Sequence, residues 1–235
     1  MKKVFIICLF LISCQEAPQK IKAGKYTRQK AKVLENYTDI AESEISRKKF
    51  DMGVLTFHNP IILDSSVFAP VNGKTTLPVK AGDKVFVDNR GVPHDEDMVS
   101  YRYRGRFGSL NSYVVEVHLY EDDFFLLINA VTGRQDTLNG FPFLSPDKRK
   151  IFCSRYNPYE TYEKVPPPTC DVEIHLLKGT TISQIIRKPL KNDIMQAYWK
   201  NSNTIYTKVA SGQGGSDSSY RELRLTEKRP DGGKQ

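Results

Sequence analysis

From about residue 84 to residue 225 the chain is a succession of short runs rich in β-branched and aromatic residues, each broken by Gly, Pro, Asn or Asp. Val85-Phe86-Val87 runs into Asp88-Asn89-Arg90-Gly91. The runs Tyr113–Tyr120 and Phe124–Ile128 flank Glu121-Asp122-Asp123, the layout of a hairpin with a solvated tip. Further runs occupy 150–155, 171–177, 181–187, 194–199, 203–209 and 219–225. Short strands at this close spacing point to a mainly β fold: an antiparallel, blade-like sheet stack or a sandwich. The exception lies upstream. Val33, Leu34, Tyr37, Ile40, Ala41 and Ile45 recur at helical spacing in a stretch without Gly or Pro, which predicts one N-terminal helix at about 29–50. Residues 51–80 are mixed, with Pro60, Pro70, Pro78 and Asn72-Gly73 as turn signals.

The N-terminus has a different character. Lys2 and Lys3 precede an apolar run, Val4 to Ile12, interrupted only by Cys8. At about nine residues it falls well short of the roughly 20 that span a bilayer, and it has the layout of a secretory signal peptide. It ends in Leu11-Ile12-Ser13-Cys14, followed at once by polar Gln15-Glu16. These four residues resemble the lipobox of bacterial lipoproteins. That resemblance implies a diacylglyceryl thioether on Cys14, cleavage just before it, and an acylated (palmitate-type) amino group on the new terminus. The alternative is an ordinary signal peptide with an incidental Cys, but plain cleavage sites favour Ala-x-Ala. Two or three acyl chains, at about 0.8 kcal/mol per buried methylene, anchor a protein stably. The implied organisation is a signal peptide at 1–13, a membrane tether at 14–28 and a single mainly β domain at 29–235. Gln15 stands where lipoproteins retained in the inner membrane commonly carry Asp, so the expected location is the bacterial envelope, on the outer membrane.

The formal net charge is +8, and loss of Lys2 and Lys3 with the signal peptide lowers it by two, to +6. The positive residues are dispersed, with no basic run that would mark a nucleic-acid partner.

Processing and lipidation account for Cys8 and Cys14, leaving Cys153 and Cys170. An even pair in an exported chain, around a Pro-rich excursion (Asn157-Pro158, Pro166-Pro167-Pro168), predicts a disulfide. The alternatives are two free thiols or half of a metal site, the last poorly supported without a nearby His or Cys.

Phe143-Leu144-Ser145-Pro146-Asp147-Lys148-Arg149-Lys150-Ile151-Phe152 resembles the Ser-Pro-Asp-Gly signature of TolB-type β-propeller blades, with Lys148 in place of the usual Gly. Leu127–Arg134, ending in Thr132-Gly133, resembles the preceding blade strand, and Trp199–Tyr206 is a fainter copy. The resemblance covers 125–209 and implies a tight Pro-Asp turn between two strands. A closed propeller needs at least about four blades, which 84–225 is too short to supply.

Motifs of catalysis are missing: the chain has no GxSxG, HExxH, P-loop or dinucleotide-binding glycines, so it is expected to be no enzyme and to carry no cofactor or metal. His118 and His175 fall within strand patterns and read as sheet residues. His94-Asp95-Glu96-Asp97 is the best polar cluster and carries the rival reading, a metal-assisted hydrolase using His94, Asp95 and Asp97. Tyr156, Tyr159 and Tyr162, beside the proline run, offer contact area with polar tips, suited to an envelope protein or a glycan. Their alternative role is packing over the disulfide and sheet edge.

Overall fold

The computed structural model describes residues 37–92, 96–156, 170–211 and 217–227. Tyr37–Glu44 forms strand β1 and Arg47–Val54 the helix α1. Lys74–Leu77 (β2) and Lys84–Val87 (β3) make a small hairpin. Val99–Phe107 (β4), Ser112–Leu119 (β5), Asp123–Asn129 (β6) and Gln135–Leu138 (β7) follow as one antiparallel meander. Phe143–Leu144 (β8), Lys150–Tyr156 (β9), Cys170–Lys178 (β10) and Thr181–Leu190 (β11) form a second. Ile194–Asn201 (β12), Thr204–Ser211 (β13) and Asp217–Glu227 (β14) begin a third sheet, which β1 completes by pairing with β14, Ile40 opposite Leu225. The mainly β, blade-like stack expected from the strand spacing is therefore present as three four-stranded sheets.

Three apolar layers hold the sheets together. One face of the first sheet (Tyr101, Tyr103, Val115, Leu126, Ile128) packs on Leu77 and Phe86 of the hairpin. Its other face (Phe107, Val114, Leu127, Leu138) meets Leu144, Ile151 and Cys153 of the second. The far side of the second sheet (Phe152, Val172, Ile174, Ile186) meets Ala197, Trp199, Ile205, Leu223 and Leu225 of the third. Phe50 of α1 covers the outer face there, against Tyr198 and Tyr206. With the hairpin at one end and the helix at the other, the stack stops instead of closing into a ring. The middle sheet is buried on both faces, so β9 opens with four consecutive buried residues, whereas β4 alternates buried and partly or fully exposed.

Two expectations are corrected. The helix predicted at 29–50 is a strand over Tyr37–Glu44, and the helix lies at Arg47–Val54; residues 29–36 are outside the described residues. Only Ile40 of the β1 segment 39–44 is buried, so a helical face had little to cover there. The open edge of β14 offered a full ladder of backbone partners instead. Ser46 then starts α1 by accepting a hydrogen bond from Lys49 N at 3.2 Å.

The second correction concerns the disulfide. Cys153 and Cys170 are free and buried. In the β9–β10 ladder Cys153 faces Glu173 and Cys170 faces Tyr156, a stagger of three residues. An odd stagger puts the thiols on opposite faces: Cys153 lies in the layer toward the first sheet and Cys170 in the layer toward the third. Three residues of rise and one strand spacing separate the Cα atoms by about 11 Å, beyond the roughly 7 Å a disulfide spans.

The Ser-Pro-Asp turn forms as its resemblance implies. Ser145 Oγ donates to Asp147 Oδ1 at 2.6 Å and accepts from Lys150 N at 2.9 Å, while Arg149 N donates to Asp147 Oδ1 at 3.1 Å. Lys148 takes the left-handed conformation, φ 59°, that the motif's Gly usually occupies.

Candidate functional site

A cleft of about 510 Å³ opens where the edges of the first and second sheets meet. Three segments build it: the β5–β6 hairpin (Glu116, Tyr120–Asp123), the β7–β8 connection (Asn139–Phe141) and the end of β9 (Ser154–Tyr156). Close passage of the connection over β9 depends on Gly140, where a Cβ would lie 2.1 Å from the Ser154 carbonyl oxygen.

Polar groups in the cleft are held in place. The register His118 opposite Asp123 brings His118 Nδ1 to 2.9 Å from Asp123 Oδ1. Its Nε2 lies 3.0 Å from Glu116 Oε2 without hydrogen-bond alignment, and Arg104 approaches the same carboxylate at 3.7 Å. Arg155 spans the two sheets, its guanidinium 2.5 Å from Asp122 Oδ1. Among the described residues the lining carries four carboxylates, Glu116, Glu121, Asp122 and Asp123, against the one guanidinium of Arg155, with Arg104 and His118 behind Glu116, so the walls are polar and net acidic. Asn139, 8 % exposed, donates from Nδ2 to the Asp171 carbonyl at 3.1 Å, and its buried Oδ1 has no partner among the described residues.

Aromatic surface completes the walls. Phe125 and Phe141 meet edge to face at 5.8 Å, and Phe141 continues to Phe143 at 5.6 Å. Tyr120 and Tyr156 stand at the rim, 38 % and 45 % exposed. Aromatic faces beside fixed hydrogen-bonding groups suit sugar rings or an extended peptide more than a single ion.

Of the residues singled out in the sequence, Tyr156 lines this cleft, whereas Tyr159 and Tyr162 lie outside the described residues, as do Cys14, His94 and Asp95. Asp97 sits in an exposed turn whose backbone carbonyl accepts from Asn89 Nδ2 at 2.9 Å. No group of three or more His, Cys, Asp or Glu side chains that could hold a metal occurs among the described residues. Glu121-Asp122-Asp123 is the hairpin tip expected and, in addition, a wall of the cleft. Arg155, Asn139 and Phe141 carried no sequence signal, because each matters only through the packing of one sheet edge on another.

A second ionic cluster is buried inside the stack. Glu173 Oε2 lies 3.0 Å from His175 Nε2, and Arg187 Nε donates to Glu173 Oε1 at 2.7 Å. Burial raises the Glu173 carboxyl, but the hydrogen bonds and charges of His175 and Arg187 outweigh it and hold the group below the usual carboxylate range. Cys153, opposite Glu173 in the ladder, is fully buried. Desolvation and the Glu173 charge push its thiol well up, and burial pushes Cys170 up to about 12. Both therefore remain thiols at neutral pH, the form that is neither nucleophile nor metal ligand.

No protein-family model, curated protein or solved structure matches this chain.

Proposed function

We propose that this chain is a non-enzymatic binding protein of the bacterial envelope, lipid-anchored through Cys14 on the outer membrane, that captures an envelope glycan or protein segment in the Tyr156 cleft. The anchor reading rests on the lipobox-like Leu11-Ile12-Ser13-Cys14. The 23 residues from Cys14 to Asn36 reach at most about 80 Å when extended, enough to hold the sheet stack clear of headgroups.

The observation that carries the binding reading is the composition of the cleft. Aromatic surface from Phe125, Phe141, Tyr120 and Tyr156 borders carboxylates fixed by Arg155 and His118, next to Asn139 Oδ1, which has no partner among the described residues. Pre-oriented polar groups cost little to organise on binding, and rigid aromatic rings supply contact area. The tyrosine-bearing segment singled out in the sequence begins at Tyr156, on the rim.

Capture of partners from native envelopes tests this. Tyr156→Ala should weaken retention of the bound glycan or protein about tenfold, with the thermal midpoint within a degree or two of wild type. Retention unchanged by Tyr156→Ala and by Arg155→Ala would remove the cleft from the reading. A metal-dependent hydrolytic activity abolished by His94→Ala would replace binding with the hydrolase alternative.

A further inference from the structure

A second cleft, of about 380 Å³, lies at the other edge of the stack, between the segment leaving α1, the Ser-Pro-Asp turn and the end of β12. We propose that it binds a phosphate-bearing headgroup, independently of the Tyr156 cleft. Two lysines, Lys148 and Lys200, and the imidazole of His58 line it, and among the described residues no Asp or Glu does. The contrast with the first cleft, walled by four carboxylates, is one of sign. Phe57, Leu144, Tyr198 and Trp199 add apolar and aromatic lining, Trp199 only 2 % exposed. The volume is enough for one headgroup with its sugar or glycerol body.

Lys148 is the residue that separates a site from a chance gathering of surface lysines. It occupies a left-handed backbone conformation, φ 59°, which side-chain-bearing L residues enter only at a cost and where the resembling blade motif has Gly. The fold gains nothing visible in return. The neighbouring carboxylate, Asp147, is turned inward to Ser145 Oγ, Arg149 N and Lys150 Nζ. Among the described residues neither Lys148 nor Lys200 has a carboxylate within ion-pair distance. The turn thus places an uncompensated ammonium on the rim where Gly would serve the backbone better. Lysine is a point-charge partner for phosphate, and two such groups beside aromatic lining select an anion attached to a less polar body.

The test uses the full-length chain in a neutral detergent. Trp199 is its only tryptophan and is among the lining residues though only 2 % exposed, so binding is read by equilibrium dialysis of the probe, with Trp199 emission beside it. The probes are inorganic phosphate, against chloride at matched ionic strength, and phosphatidylglycerol in mixed micelles, against phosphatidylcholine. Saturable binding of phosphate assigns a soluble phosphate ligand. Binding of phosphatidylglycerol alone assigns a lipid headgroup. In either case Lys148→Gly and Lys200→Ala should each weaken binding about tenfold, the loss of one charge-assisted contact. Lys148→Gly should also leave the thermal midpoint at or above wild type. No saturable binding of either probe, or binding that survives both substitutions, overturns the proposal. So does a Lys148→Gly protein less stable than wild type, because the lysine would then serve the turn.

Discussion

Replacing Glu173 by Gln removes one charge from the middle of the stack and keeps the side-chain shape. The carboxylate serves two partners, His175, fully buried, and Arg187, whose side chain is 33 % exposed. A hydrogen bond to a charged group contributes about 1.5–3 kcal/mol net. The Arg187 share is reduced, since a third-exposed guanidinium can turn to water. The His175 share is not, since no solvent reaches the ring. Leaving one member of a buried pair behind costs about 3–5 kcal/mol, and the amide oxygen of Gln still accepts one hydrogen bond. The expected loss is therefore about 3 kcal/mol, read from urea unfolding midpoints at constant slope. The pH dependence has a definite sign. The folded Glu173 carboxyl lies below its unfolded value of about 4.5, so its stabilisation is complete above that pH. It is lost as pH falls through the lower folded value. The gap between wild type and Glu173→Gln should be flat from pH 7 to about 5 and narrow below. A loss under about 1 kcal/mol at pH 7, or a gap that widens in acid, would refute the reasoning.

Cys14→Ala should abolish incorporation of labelled fatty acid and leave an unprocessed precursor; mass spectrometry of wild type showing an unmodified Cys14 would defeat the anchor reading. Alkylation and intact-mass measurement should find Cys153 and Cys170 both as thiols, unreactive at pH 8 while folded and modified once unfolded, and reductant should not move the thermal midpoint. Gly53→Ala should destabilise by about 1–3 kcal/mol, because a Cβ there would lie 2.3 Å from the Tyr198 hydroxyl, which donates to the Phe50 carbonyl and seats α1; a midpoint equal to wild type would show that the helix can move off Tyr198 freely.

Strands in the C-terminal two thirds were legible because their signals are local. Runs such as Val114-Val115-Glu116-Val117 and the hairpin tip at Glu121-Asp122-Asp123 hold their conformation within any fold that buries them. Val99–Phe107 carried a similar signal, with Val99, Tyr101, Tyr103 and Phe107 alternating with Ser and Arg, yet it was not among the expected strands. Pro146-Asp147 specified its turn through hydrogen bonds made inside six residues, from Ser145 to Lys150. The Tyr37–Glu44 segment was misread because helical spacing is a statement about one face, and this face has almost nothing to bury.

What the sequence determined by itself is therefore local: the existence of most strands after residue 110, how the Ser-Pro-Asp turn closes, and the lipobox-like pattern at Cys14. What the tertiary structure alone decided is every relation between distant segments. Pairing of Tyr37–Glu44 with Asp217–Glu227 depends on an edge that exists only after the third sheet has formed. The separation of Cys153 from Cys170 depends on a three-residue stagger between two strands, and a change of one residue in that register would have turned one thiol to the opposite face. Both clefts are made of connections from different sheets, so their chemistry emerges only where packing sets those connections side by side. Local interactions act between neighbours in the chain and can be read along it; register and sheet stacking minimise exposed apolar area over the whole molecule, and no single segment carries that information.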